Sequence, residues 1–162
     1  ANPNTGDPMD DNSHGTHCAG TIGAVGNNGV GVVGVNWNVK IMSLKAFDAL
    51  GFGSLANATK CVAYAELMKS RGANIRATSN SYGGANFSQG LYDAILSAWT
   101  NEDMLFVAAA GNDYKRDVDT QPKYPGAYDI DGIINVGAST ESGDLAYFTN
   151  IGATRVDVAA PG

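Results

Sequence analysis

The sequence has few cysteines, few charged residues and no long apolar run. Two cysteines in 162 residues are too few for a disulfide framework, so we expect buried thiols at Cys18 and Cys61. The 10 basic residues form no cluster and are outnumbered by 16 acidic ones, which argues against a nucleic-acid partner or an anionic membrane surface. No apolar stretch approaches the roughly 20 residues that span a bilayer, and no leader pattern opens the chain.

Apolar residues make up 44% of the chain, which is enough for a packed core. Their spacing alternates between the helical period and short, largely apolar runs that are typical of strands covered on both faces. After an opening loop, the predicted helices cover residues 14–25, 55–71 and a stretch that follows residue 88, and the predicted strands cover residues 39–47, 75–80, 104–110 and 133–138.

Polar residues stand where each predicted helix begins. Asn12 or Ser13 is expected to cap the first helix, Ser54 the second and Ser88 the third. Gly72 stands just past the second helix, where a glycine commonly ends a helix.

Alternation of strands and helices predicts right-handed βαβ units, hence an α/β fold in which a mostly parallel sheet lies between helix layers. In such folds the functional residues gather outside the carboxyl ends of the strands. Gly51, Ser81 and Asn112 each follow a predicted strand. The sequence therefore predicts that three separate segments meet at one edge of the sheet.

Both histidines lie in residues 10–22, which begin with two aspartates and continue into small residues. A histidine exchanges protons near neutral pH, so His14 at a glycine-flanked helix start is a candidate general base. An ordinary capped helix is the alternative interpretation of this stretch.

Four motifs occur in the order Asn12-Ser13-His14-Gly15-Thr16-His17, Ser81-Tyr82-Gly83-Gly84, Ala108-Ala109-Ala110-Gly111-Asn112 and Ala160-Pro161-Gly162. In content, order and spacing they resemble the subtilisin-like serine proteases. The resemblance implies a serine-type endopeptidase with an Asp-His-Ser triad, an incomplete subtilisin-like fold in which residues 1–162 are the central part of the catalytic domain, a peptide or protein substrate, and secretion. It also implies that the triad aspartate and serine lie outside this chain, so the isolated chain is expected to be inactive.

The resemblance assigns roles to particular residues. His14 would be the general base, His17 a structural neighbour, and Asn112 the donor to the oxyanion of the tetrahedral intermediate. Asp10 and Asp11 would belong to the loop before the helix. The residues that would bind substrate are Gly51, Phe52, Gly53, Ser81, Tyr82, Gly83, Gly84, Ala110, Gly111 and Lys123.

Two of these expectations concern the pocket for the residue before the cleaved bond. Lys123 is expected near the base of that pocket, where its charge would favour an acidic substrate residue. The Tyr124-Pro125 bond is expected to be cis, as at a similar position in the family.

A glycine-rich loop resembles the loop that wraps a calcium ion in this family, with one extra residue. The implied oxygen ligands are Val25, Asn28, Val30 and Val32, and Asp157 with carbonyls after Pro125 would form a weaker second site. No organic cofactor is expected.

Three other functions stay open at this point. Residues 29–34 match the pattern G-x-G-x-x-G of dinucleotide-binding oxidoreductases, although a strand should precede it and a helix should follow. His14 and His17 with Asp10 or Asp11 would make a metal hydrolase, although their spacing is poor for zinc. A catalytically inactive subtilisin-like homologue is the third alternative.

Overall fold

A computed structural model describes residues 6–162, which form two compact units that meet in sequence after Cys61. Residues 1–5 of the predicted opening loop lie outside the described part. No helix within residues 6–162 is long and apolar enough to cross a membrane.

The first unit is organised around helix α1, His14–Gly23. Residues 34–36 run back along the end of α1, because their backbone N–H groups donate to the carbonyl oxygens of Ala24, Thr21 and Ile22 at 2.9 to 3.0 Å. Gly34 is buried at this close approach. The position requires glycine, because a Cβ there would collide with the backbone of Gly23 and Ala24.

The predicted strand at residues 39–47 is wrong. Within the described chain this segment forms only one isolated bridge, between Phe47 and Gly53. Its apolar side chains Val39, Ile41 and Met42 are exposed. A strand is held by hydrogen bonds to a neighbouring strand, and an apolar run without such a neighbour stays irregular.

Helix α2, Leu55–Ser70, carries the chain from the first unit into the second. Ser54 Oγ accepts a hydrogen bond from Asn57 N at 3.1 Å, which confirms the predicted cap. Gly72, with φ of +97°, follows the helix in a conformation that favours glycine, also as predicted.

The second unit contains a four-stranded parallel sheet in the order β1-β2-β3-β4. The strands are β1 Ala77–Asn80, β2 Leu105–Ala109, β3 Ile133–Ser139 and β4 Val158–Pro161. The first three confirm predicted strands, and the parallel pairing confirms the predicted α/β class. Strand β4 was not predicted, because it is only four residues long, is exposed throughout and ends in a proline that reads as a turn signal.

Helix α3, Gln89–Glu102, connects β1 to β2 and packs on β2. Ser88 Oγ accepts a hydrogen bond from Leu91 N at 3.3 Å, so this predicted cap is confirmed. Leu91 and Ile95 are almost fully buried and form the apolar face that joins the helix to the sheet.

Candidate active site

The start of helix α1 places His14, and Asp10 stabilises that start. Asp10 Oδ2 accepts hydrogen bonds from Thr16 N at 2.8 Å and Thr16 Oγ1 at 2.6 Å, while Asp10 Oδ1 accepts from Asn12 N and Ser13 N. These bonds lower the pKa of Asp10 below its usual range, led by the bond from the Thr16 hydroxyl.

The predicted cap of α1 by the side chain of Asn12 or Ser13 is therefore wrong. Ser13 has φ of 76° and its side chain makes no capping hydrogen bond, while Asn12 Nδ2 donates to Ala49 O at 2.9 Å. The Asp10 carboxylate, four residues before the first residue of the helix, replaces that cap, because it accepts hydrogen bonds from one amide of the first turn, Thr16 N, and from the amides of Asn12 and Ser13 before the helix.

His14 is the first residue of α1, and its side chain is exposed. Its Nε2 lies 3.8 Å from Cys18 Sγ, one helical turn further on. Cys18 and Cys61 are both half-buried rather than buried as predicted, and burial raises the pKa of the Cys61 thiol. His17 is also exposed.

Asp11, the second aspartate before α1, forms an ion pair with Lys45. The pKa of Asp11 is lowered to about 2, and the hydrogen bond from Lys45 is the largest cause. The carboxylate of Asp10 is thus bonded to the helix start and the turn before it, and that of Asp11 to Lys45.

The predicted substrate segment Gly51, Phe52 and Gly53 forms an exposed turn of the first unit. Asp48 Oδ1 accepts hydrogen bonds from Leu50 N and Phe52 N, each at 2.9 Å, and Gly51 has φ of +79°. Phe52 is 72% exposed, so its ring is available to a ligand.

A cavity of about 200 Å³ opens in the second unit, where β1 and β2 end. It brings together most of the predicted substrate residues of this unit, as expected for the carboxyl ends of adjacent parallel strands. The lining residues are Ser81, Tyr82, Gly83, Ala109, Gly111, Asn112 and Lys123.

Two predicted members do not line this cavity. Ala110 is 1% exposed and lies in the core, because side chains alternate along β2 and Ala109 takes the cavity-facing position instead. Gly84 pairs with Tyr124 through two backbone hydrogen bonds of 2.8 Å. The Tyr124-Pro125 bond beyond this pair is cis, as predicted.

Asn112 lines the cavity with an exposed side chain. Its amide makes no hydrogen bond to any residue in the described range 6–162. The preceding Gly111 has φ of +101°, which turns the chain sharply after β2. An unpaired amide beside a cavity is a donor that a bound ligand can use.

Lys123 lines the cavity, and its charge is paired. Its Nζ donates to Asp113 Oδ2 at 2.6 Å. Hydrogen bonds from Lys123 and from Asn150 Nδ2 lower the pKa of Asp113. Sequence reasoning missed Asp113 and Asn150, although Asp113 adjoins Asn112 directly.

The predicted calcium loop surrounds a second cavity of about 200 Å³, lined by residues 25 and 27–33. The carbonyl oxygens of Val25, Val30 and Val32 accept no hydrogen bond within the described chain, and Asn28 Oδ1 accepts one from Val30 N at 3.0 Å. These oxygens suit a hard cation. The loop itself contains no carboxylate.

The other metal and cofactor interpretations find less support. The glycines at 29–34 lie between α1 and an irregular segment, so the strand and helix that a dinucleotide fingerprint needs are not there. Residues 6–162 hold no group of three or more His, Cys, Asp or Glu side chains that could bind a metal ion. Asp157, the residue expected at the weaker second calcium site, accepts a hydrogen bond at Oδ2 from Asn135 N at 2.7 Å.

Comparison with known proteins gives matches over nearly the whole chain. The model of the subtilase family matches residues 1–162. Thermitase of Thermoactinomyces vulgaris is 35% identical over 159 residues, which are 98% of this chain and 52% of thermitase. A subtilisin-like serine protease of Rhodotorula mucilaginosa is 35% identical over 165 residues, covering 99% of this chain and 44% of that protein.

Among solved structures, sphericase superposes with a TM-score of 0.83 at 25% sequence identity, covering 95% of this chain and 54% of sphericase. The chain thus spans about half the length of the relatives it matches.

Proposed function

Because this chain belongs to the subtilase family, we propose that the full-length protein is a serine-type endopeptidase that hydrolyses peptide bonds in peptides or proteins. The observation that carries the proposal in this structure is the cavity at the ends of β1 and β2, with the unpaired amide of Asn112 at its wall. Two relatives that match most of this chain are named thermitase and subtilisin-like serine protease.

His14 serves as the general base of the proposed reaction. It accepts the proton of the serine hydroxyl during attack on the substrate carbonyl, and returns that proton to the leaving amine. Its ring at the first position of α1 is exposed, which suits this role because a substrate can reach it. We assign neither the nucleophilic serine nor the acidic partner to a residue of this chain.

Asn112 donates a hydrogen bond to the carbonyl oxygen as that oxygen becomes negative. Such a donor accelerates the reaction because it binds the charge of the transition state more strongly than the neutral ground state. The residues on either side of Asn112 are hydrogen-bonded to Asn150, which fixes the backbone from which the amide extends before substrate arrives.

The residues around the cavity bind the substrate chain. Ser81, Tyr82 and Gly83 line the cavity, and an extended peptide would lie along this segment as an added strand. The side chain before the cleaved bond enters the cavity against Ala109 and Gly111. In the first unit, the exposed turn at residues 51–53 is the other candidate substrate-binding segment.

A calcium ion in the loop of residues 25–33 is a structural part of the proposal. Neutral carbonyl and amide oxygens alone hold calcium weakly, so a carboxylate from elsewhere in the full-length protein would complete the site. Adding calcium should then raise the melting temperature of the full-length protein, since an ion that binds only the folded state stabilises it. Asn28→Ala should reduce this rise, while Asn38→Ala, outside the loop, should not.

The activity is tested on the full-length protein with a chromogenic peptide substrate and a serine-directed sulfonyl fluoride. We expect hydrolysis that the inhibitor abolishes. His14→Ala should remove nearly all activity, and Asn112→Ala should lower kcat by about 10² to 10³, the range known from subtilisin itself. His17→Ala is the matched control on the same helix and should retain activity. Full activity in His14→Ala would contradict the assigned base.

A further inference from the structure

Asn150 lies far from Asn112 in sequence but forms hydrogen bonds with the residues before and after it. The Asn150 side chain is 1% exposed and uses both of its polar atoms. Before Asn112, Asn150 Nδ2 donates to Ala110 O at 2.9 Å, and Asn150 N donates to Gly111 O at 2.8 Å. After Asn112, Asp113 N donates to Asn150 Oδ1 at 2.8 Å, and Asn150 Nδ2 also donates to Asp113 Oδ2 at 2.8 Å.

The loop that carries Asn112 is strained and needs such support. Gly111 has φ of +101°, and Tyr114 and Lys115 both have positive φ although they are not glycines. Residues in these conformations persist where surrounding contacts hold them. Here Tyr114 N donates to Phe148 O at 3.0 Å and Lys115 N to Thr149 O at 2.9 Å. The segment of residues 148–150 therefore holds the loop in this conformation.

The segment of residues 148–150 is in turn hydrogen-bonded to the sheet. Thr149 is 1% exposed, and its Oγ1 accepts a hydrogen bond from Ala138 N in β3 at 2.8 Å. Ala110 N donates to Val136 O in the same strand at 2.9 Å. A displacement of the loop would therefore break bonds to a buried segment.

We infer that Asn150 is a positioning residue, which holds the loop of residues 110–113 so that the Asn112 amide stays unpaired and directed toward the reacting carbonyl. The inference rests on the proposed function of Asn112. Asparagine suits this position because it supplies a donor and an acceptor at a fixed spacing. Aspartate would lose both donated bonds and would bring a second carboxylate to Asp113.

The test is a double-mutant cycle in the full-length protein, with kcat and KM measured on a peptide substrate. Asn150→Ala should lower kcat by at least about tenfold with little change in KM, because small displacements of a catalytic group cost large factors in rate. Asn112→Ala should cost more. If Asn150 acts through Asn112, the double variant should be no slower than Asn112→Ala alone.

A matched control is Asn135→Ala, which removes another asparagine that is 1% exposed and whose side-chain amide donates to Arg155 O and not to the loop of residues 110–113. Its effect on kcat should be the same with and without Asn112. Asn150→Asp keeps the side-chain volume and serves as the second variant if Asn150→Ala does not fold.

Three results would overturn the inference. If the kcat losses of Asn150→Ala and Asn112→Ala multiply, Asn150 acts independently of Asn112. If Asn150→Ala and Asn150→Asp lower only the melting temperature, the role is merely structural. If Asn112→Ala keeps its kcat while His14→Ala loses activity, the oxyanion role of Asn112 fails, and the positioning role fails with it.

Discussion

Lys123 and Asp113 form an ion pair beside the cavity, with Lys123 Nζ 2.6 Å from Asp113 Oδ2. Both side chains are mostly buried, at 19% and 28% exposed. A buried lysine attracts an acidic ligand only as far as its charge is uncompensated, and here a carboxylate of the protein already compensates it. The pocket therefore presents less positive charge to a substrate than the lysine alone would suggest.

Cleavage preference should respond to Asp113 more than to any other nearby acid. In the full-length protein, Asp113→Asn should raise the rate of cleavage after Glu, relative to cleavage after Leu, by roughly fivefold, because Lys123 loses its internal partner. The ratio of kcat/KM for two matched peptides measures this effect. The double variant with Lys123→Met should lose the gain. An unchanged ratio in Asp113→Asn would show that Lys123 does not face the substrate.

The same carboxylate should contribute a pH-dependent stability. Because hydrogen bonds from Lys123 and Asn150 lower the native pKa of Asp113, its stabilisation is complete well above the unfolded pKa of about 3.9 and is lost as the pH falls through the lower native pKa. The melting temperature of Asp113→Asn should lie below that of the unmodified protein at neutral pH, and the gap should close in acid.

Thermal unfolding of the full-length protein, from neutral pH down to about 2, tests this pH dependence. Asp129→Asn is the control, because it removes an exposed carboxylate that makes no hydrogen bond within residues 6–162. Its melting temperature should stay equal to that of the unmodified protein at every pH. A gap between Asp113→Asn and the unmodified protein that persists unchanged in acid would mean that the ion pair is not its source.

The helix start before His14 should depend on a single carboxylate. Asp10→Ala removes four hydrogen bonds from the first turn of α1 and its approach. We expect a lower melting temperature and a loss in kcat/KM on the order of tenfold, because the base is the first residue of that helix. Asp7→Ala removes one bond, to Met9 N, and should have little effect on either quantity. Equal effects of the two variants would contradict a special role for Asp10.

Local patterns predicted most of the elements and much of the cavity. Helix periodicity and the caps Ser54 and Ser88 depend on neighbours in sequence, so α2 and α3 began where expected. The rule that parallel strands end at one edge brought Ser81 and Asn112 together correctly.

What the sequence could not predict depends on distant pairing. The run at 39–47 is apolar enough for a strand, yet pairing with a neighbour decides whether one forms, and no local pattern states it. Asn150 has no motif of its own and stands 37 residues from Asp113, so its contacts appear only in the folded chain. The sequence indicated Lys123 as a candidate substrate-binding residue, but it did not indicate that Asp113 pairs with Lys123.

Gly111 should tolerate no side chain, for two separable reasons. Its φ of +101° is strained for any other residue, and a Cβ there would lie 2.6 Å from Asn150 Nδ2. Gly72 has nearly the same φ, +97°, but a Cβ there would meet nothing within 4 Å. Gly72→Ala should therefore lower the free energy of unfolding by the backbone strain alone, about 1 to 3 kcal/mol, and leave kcat unchanged.

Gly111→Ala should cost more stability than Gly72→Ala and should also lower kcat, because the new methyl group displaces the Asn150 amide that holds the loop of Asn112. Chemical denaturation and peptide hydrolysis by the full-length variants measure the two quantities. Backbone strain at residue 111 would suffice as the explanation if both variants lost equal stability and kept their kcat. A larger loss confined to Gly111→Ala requires the contact with Asn150.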